Sequence, residues 1–280
     1  MAIPKTSLHN RSASLPSTFH PIDANIENTL RGLKASQATP SSSSSLSQSL
    51  RSVKELHEQM NELIRLPHNE QILSHKHYRV EVEEVLEGSL ALLDASSSAL
   101  DALSQMNQSI LDLKSALRRG TVDVGVHSYV ISRKKINKVL SKCLLTLKKS
   151  EKSRALAQSE NACAIVRTLK ETETICLTTL KSLLPYIMGK KISQTRGWSL
   201  VAKLVKSKTA SSDADNLSKV EYIDHALCSL SDKYSAAETK DVMNQLDTLE
   251  TIVQELENSM QSVSRCFIKT RVSLLNLLNQ

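Results

Sequence analysis

Aromatic residues make up only 3% of this 280-residue chain, with one Trp, two Phe and five Tyr. Sheets draw on aromatic and β-branched side chains, so the scarcity argues against a sandwich or barrel. Glycine and proline are equally sparse, six of each, which removes the turn chemistry that many short strands need. The five cysteines, Cys143, Cys163, Cys176, Cys228 and Cys266, lie far apart and form no Cys-x-x-Cys pair. That spacing excludes a zinc ribbon and gives no disulfide framework. Most fall on or near apolar faces, where a reduced thiol acts as a small hydrophobe. A reducing compartment is therefore expected, and with it a cytoplasmic location. No apolar run approaches the roughly 20 residues that cross a bilayer, and the N-terminus has no hydrophobic signal core. A Walker loop, a Gly-x-Gly-x-x-Gly turn and a Gly-x-Ser-x-Gly elbow are all missing, so no nucleotide cradle or activated serine is marked.

The chain is instead rich in Leu, Ala, Ser, Lys and Glu, which suit helices. Val242, Leu246, Leu249, Val253, Leu256, Met260, Val263 and Phe267 are spaced alternately four and three, and the register continues through Thr270 to Leu274 and Leu277. Only a helix gathers that spacing onto one face. Ser235 with Glu238 predicts a capping box at its start. A helix this long must hide its stripe against other helices, within the chain or across a dimer seam.

Other segments follow the same pattern. Leu46, Leu50, Val53, Met60 and Ile64 share a face, and Leu66-Pro67 predicts a stop there. A second helix is predicted from about Tyr78 to Arg119, with Val82, Leu86, Leu93, Leu100, Leu103, Ile110 and Leu117 as its stripe and Gly120 as its cap. A loop at 120–127 precedes a third, carrying Ile136, Leu140, Cys143 and Leu147. A fourth spans about Ser159 to Leu184, ended by Pro185 and Gly189. Trp198 with Val201, Leu204 and Val205 suggests a short helix at a packing corner, and Ser218 with Glu221 a capping box opening another. Residues 1–45 read as a disordered Ser-rich tail and linker, with a short helix carrying Ile26, Leu30 and Leu33 after Asp23. The expected architecture is all-α: an elongated antiparallel helical bundle over 46–280.

Charge is segregated along the chain. Between Arg118 and Arg154, eleven basic residues stand against Asp123 and Glu151, while 213–260 holds eleven acids against Lys219, Lys233 and Lys240. The first expectation is that basic and acidic helices pair along the bundle edges, each exposed pair contributing about 0–1 kcal/mol. The alternative is a basic face for an anionic partner, built from Arg133, Lys134, Lys135, Lys138, Lys142 and Lys149, with Lys134, Lys138, Lys142 and Lys149 opposite the Ile136, Leu140 and Leu147 stripe. A membrane surface fits such a face better than nucleic acid, because aromatic residues for base stacking are missing.

One short motif is specific. In Arg11-Ser12-Ala13-Ser14-Leu15-Pro16, Arg11 stands three before Ser14 and Pro16 two after it. That is the pattern of a phosphoserine read by 14-3-3 proteins, in which phosphate adds about −1.5 to −2 charge and three acceptors for an arginine cluster. The tail around it is Ser-rich with Lys5 and Arg11, a composition shared with plastid transit peptides, but it carries no basic amphipathic stripe. His75, His77 and nearby His68 do not share a helical face and lack a completing ligand, so they read as surface residues. Glu83, Glu84 and Glu87 read as a solvated helix face. No catalytic residue, metal ligand or cofactor follows from the sequence.

Several stretches resemble the plant-specific BYPASS-like family. They are the tail through Ser17 with His20-Pro21, the Ser-rich linker, Leu63-Ile64-Arg65-Leu66-Pro67, Glu84 through Asp94, Leu117-Arg118-Arg119-Gly120 and Ser132-Arg133-Lys134-Lys135. The resemblance implies a role in root and shoot development, with no active site to carry over. Together these readings give a non-enzymatic helical adaptor with a phosphoserine switch; the alternative is a peripheral membrane protein.

Overall fold

A computed structural model describes residues 21–37, 42–155, 163–189, 219–229 and 236–279. Among them the regular structure is helical: α1 (Pro21–Ser36), α2 (Ser43–Ile64), α3 (Pro67–Ser74), a 3-10 turn (Lys76–Tyr78), α4 (Arg79–Arg118), α5 (Val122–Ala155), α6 (Ala164–Ile187), α7 (Lys219–Ser229) and α8 (Ala236–Leu278). The 43-residue α8 and 40-residue α4 are each about 60 Å long at 1.5 Å per residue, which makes the bundle elongated.

Side-chain pairings fix the directions. Ser96 and Lys114 of α4 meet Ser264 and Glu250 of α8, so residue numbers ascend along one helix as they descend along the other. Glu151 and Ser141 of α5 meet Lys181 and Met188 in the same opposed sense. Thr29 of α1 reaches Gln59 of α2. The long helices therefore alternate up and down, with α2 and α8 running together: His57 meets Thr270 and Asn61 meets Ser273.

The whole 4-3 stripe of α8, from Val242 to Leu277, is buried, Thr270 included. It packs on α4 and α2, and α5 and α6 complete the core against α4. Lys114 is nearly buried between α4 and α8. It pairs with Asp247 and with Glu250 (2.6 Å), and those hydrogen bonds raise its pKa despite the cost of burial.

Five sequence expectations change. The serine run is not all linker. Ser42 accepts from the Ser45 backbone and Ser45 returns the bond, a capping box that opens α2 at Ser43. The short helix near Asp23 is longer than expected, and its Ile22, Ile26, Leu30 and Leu33 belong to the common core. Pro67 ends α2 but also starts α3, where a missing N–H costs nothing at the first helical position. Pro185 does not end α6. It sits within the last turn, and Gly189 terminates the chain's turn with φ +67. At the other end of α4, Gly120 takes φ +74, as a left-handed cap requires, and α5 begins at Val122, so the expected loop shrinks. The helix around Trp198 and the caps at Ser218 and Ser235 lie outside the described residues.

Candidate functional site

Three features carry chemistry that the apolar core does not. The first is a polar layer inside the bundle. His57 is the one imidazole in the α2 stripe, following Leu50 and Val53 and preceding Met60 and Ile64. Opposite it, Thr270 interrupts the α8 stripe. His57 Nδ1 lies 3.0 Å from Thr270 Oγ1, and Nε2 lies 3.3 Å from Cys176 Sγ of α6. Asn61 Nδ2 donates to Thr270 Oγ1 (2.9 Å) and Ser273 Oγ donates to Asn61 Oδ1 (3.2 Å). Phe267 closes the layer with an edge-to-face contact at 4.8 Å. A neutral ring closes the chain in either tautomer. Thr270 donates to Nδ1 and Nε2–H donates to sulfur, or both directions reverse. Burial disfavours the charged ring and lowers the His57 pKa to about 4, and it pushes the Cys176 thiol up, so the thiol stays protonated. The adjoining cavity holds about 30 Å³, walled by His57, Thr270, Ser89, Glu173 and Arg271. Ligand pockets run to roughly 300 Å³ or more, so this space suits a water and not a metabolite.

The second feature is Arg133, placed by sequence reasoning on the exposed basic face. The structure overturns that: Arg133 is 4% exposed. It lies three before Ile136 and seven before Leu140, and so shares their buried side. Its Nη1 donates to the Ile187 carbonyl at the end of α6 (3.0 Å), where the helix dipole is negative. Nε and Nη2 reach the Asp224 carboxylate of α7 at 3.3–3.4 Å. One guanidinium thus ties α5, α6 and α7. A cavity of about 190 Å³ opens beside it, lined by Tyr129, Asn137, Lys134 and Asp224. Burial first, and the Asp224 charge second, raise the Tyr129 pKa.

The third feature is the outer face of α5. Val124, His127, Ile131, Lys135, Lys138, Lys142, Leu145, Lys149 and Lys152 are spaced three or four apart, and all are exposed. This is one stripe, on the side away from Ile136, Leu140 and Leu147. Lys134 is exposed beside it. Ile131 is 40% and Leu145 60% exposed, large fractions for aliphatic side chains within a charged face. The basic segment meets the acidic one at Arg133 and Asp224 (3.3 Å), and Glu151 of α5 is taken by Lys181 (2.6 Å). Among the described residues, no acid forms an ion pair with Lys134, Lys135, Lys138, Lys142 or Lys149. Sequence reasoning found the lysines but missed the aliphatic residues in their register, although the spacing marks them.

Arg11, Ser12, Ser14 and Pro16 lie outside the described residues. His75 caps the 3-10 turn, its Nδ1 accepting from the His77 backbone (3.1 Å). No group of three metal-ligating side chains assembles among the described residues, and no described helix is long and apolar enough to cross a membrane.

Neither a curated protein nor a solved structure matches the chain. One family model does, described as Protein BPS1, over residues 49–277. That span takes in α2 from its second turn, the polar layer, Arg133 and the α5 stripe, and it indicates no enzymatic family. The chain belongs to the BPS1 family, the BYPASS-like proteins, and membership points to a plant protein of development.

Proposed function

We propose that this protein is a non-enzymatic helical scaffold, acting in the cytoplasm during plant organ development by docking an anionic partner on the outer face of α5. The observation that carries the reading is the row of exposed lysines that, among the described residues, form no ion pair. Solvated lysines cost little on any helix, but a row of like charge on one face raises a local positive potential that attracts anions. The cavities at the polar layer and at Arg133 are too small for most metabolites, which favours a surface over a pocket. A plant line lacking the protein tests the idea. The wild type and a Lys138→Arg, Lys142→Arg, Lys149→Arg variant should restore growth, and the corresponding triple Glu variant should fail while keeping its helical circular dichroism. Full rescue by the Glu variant would overturn the proposal.

The Arg11-x-x-Ser14-x-Pro16 pattern supports a second, separate role for the tail, a phosphoserine switch engaging a 14-3-3 protein. Capture of a 14-3-3 protein should depend on phosphate and vanish in Ser14→Ala. Capture that survives phosphatase treatment would exclude the switch.

A further inference from the structure

We infer that the anionic partner of α5 is a lipid bilayer surface, on which the lysines bind headgroups while Ile131 and Leu145 enter the acyl boundary. The inference rests on the docking reading above and specifies the partner.

The argument starts from shape. The stripe runs from Val124 to Lys152 on a single helix, about 42 Å at 1.5 Å per residue. It lies on the side of α5 away from the buried Ile136, Leu140 and Leu147, along the outer edge of the helix. A partner helix or peptide needs a groove or a matching apolar seam. A planar surface needs only a straight line of contact, which the outer edge of a long helix provides.

The composition of the line then distinguishes between anions. Nucleic acid would use the lysines through its phosphates, but it gives exposed Ile131 and Leu145 nothing to bury against, and the stripe carries no Phe, Tyr or Trp for base stacking. A bilayer uses both kinds of residue. Lysine stems lie along the interface with ammonium groups at the phosphates, while aliphatic side chains reach the headgroup–acyl boundary. Leu145 is flanked in register by Lys142 and Lys149, so its insertion places two ammonium groups at headgroup depth. Ile131 and Val124 continue the line about one and three turns before Lys135. The opposite side of α5 is already committed to the core through Ile136, Leu140 and Leu147. The helix therefore lies on the surface with its bundle attached and does not insert whole.

Flotation of the full chain with phosphatidylserine–phosphatidylcholine vesicles, beside pure phosphatidylcholine, tests this. The wild type should float with the anionic vesicles, less so as salt rises, and not with the neutral ones. Each lysine contributes about fivefold near an anionic surface. The Lys138→Gln, Lys142→Gln, Lys149→Gln variant should therefore bind on the order of a hundredfold more weakly. Leu145→Ser with Ile131→Ser keeps every charge and should weaken binding by about tenfold or more through lost apolar burial. All these positions are exposed, and unchanged thermal melts would show that the variants fold. No flotation with anionic vesicles overturns the inference, and so does binding indifferent to the serine variant. Wild-type binding to immobilised polyglutamate but not to vesicles, lost in the glutamine variant, would defeat the lipid inference and leave the anionic docking reading standing. Binding to neither probe, together with rescue of growth by the Glu variant, would defeat both.

Discussion

At the scale of single residues, charge and burial separate neighbours that look alike in sequence. His57 is held neutral, with its pKa lowered to about 4 by burial, whereas an unfolded histidine titrates near 6.5. Between those values the unfolded chain binds more protons than the folded one, so stability falls as pH drops. The contribution is fully present above about pH 6.5 and lost by about pH 4, and the gap corresponds to roughly 3 kcal/mol. Glu173 and Arg271 line the same cavity, and other acids also titrate at the low end, so the comparison that isolates the ring is His57→Gln. Urea unfolding of that variant should lose most of the slope between pH 6.5 and 5, although it starts less stable. An unchanged slope would mean that the ring is not the group titrating. Arg133 and Lys134 make a second contrast. Arg133→Ala strips a hydrogen bond from the Ile187 carbonyl and a partner from Asp224, whose side chain is about a third exposed. Because water can still reach that carboxylate, the expected loss is about 1–3 kcal/mol, below the range for a fully buried broken pair. Lys134→Ala should stay within about 0.5 kcal/mol. Denaturant midpoints of the two variants decide whether the guanidinium is a hub or an ornament.

At the scale of helices, a close approach between α4 and α5 makes its own prediction. Gly125 of α5 is buried, and a Cβ built there would stand 2.4 Å from the Cβ of Ala116 on α4. Neither atom can rotate away, so α4 and α5 must part. Replacing glycine by alanine in a helix gains up to about 1 kcal/mol of propensity, while overpacking costs about 1–3 kcal/mol. Gly125→Ala should therefore lower stability, with the urea m-value unchanged; a stabilised variant would show that the two helices separate freely. The helices themselves were legible because the 4-3 spacing of large aliphatics has only one geometric solution. It placed α4 to within a residue at each end and named each buried residue of the α8 stripe. The polar layer was half legible. His57 fills a gap in the α2 stripe and Thr270 one in the α8 stripe, but nothing local says that the two gaps meet, or that Cys176 joins them. Arg133 was misplaced because a basic run invites an exposed reading, although its register with Ile136 and Leu140 points inward. Its partner Asp224 stands 91 positions away, beyond any local pattern. The serine run misled for the opposite reason. Low complexity suggests a linker, yet Ser42 and Ser45 form a reciprocal cap that is itself a strong start signal.

At the scale of the whole molecule, the question is where the cooperative unit begins. Composition drew a boundary near residue 46, but Ile22, Ile26, Leu30 and Leu33 of α1 pack into the same core as α8. α1 rests on α2 and α6, and Cys176 is buried in α6 beside His57. If α1 is part of one two-state unit, loosening it must loosen everything. Leu30→Ala should then cost about 2–5 kcal/mol of global stability, as truncation of a buried leucine does. Cys176 reports on this directly. Its thiol is buried with a raised pKa, so it reacts only when the bundle opens. Under native conditions its labelling by a thiol reagent, followed residue by residue by mass spectrometry, tracks the population of the open state. Leu30→Ala should speed labelling of Cys176 by roughly thirty- to several-thousandfold, since every 1.4 kcal/mol is a factor of ten. If α1 merely frays against a bundle that starts at α2, the same substitution would leave Cys176 as protected as before. The half-buried Cys143 and Cys163 serve as controls, because their partly accessible thiols do not need the whole bundle to open.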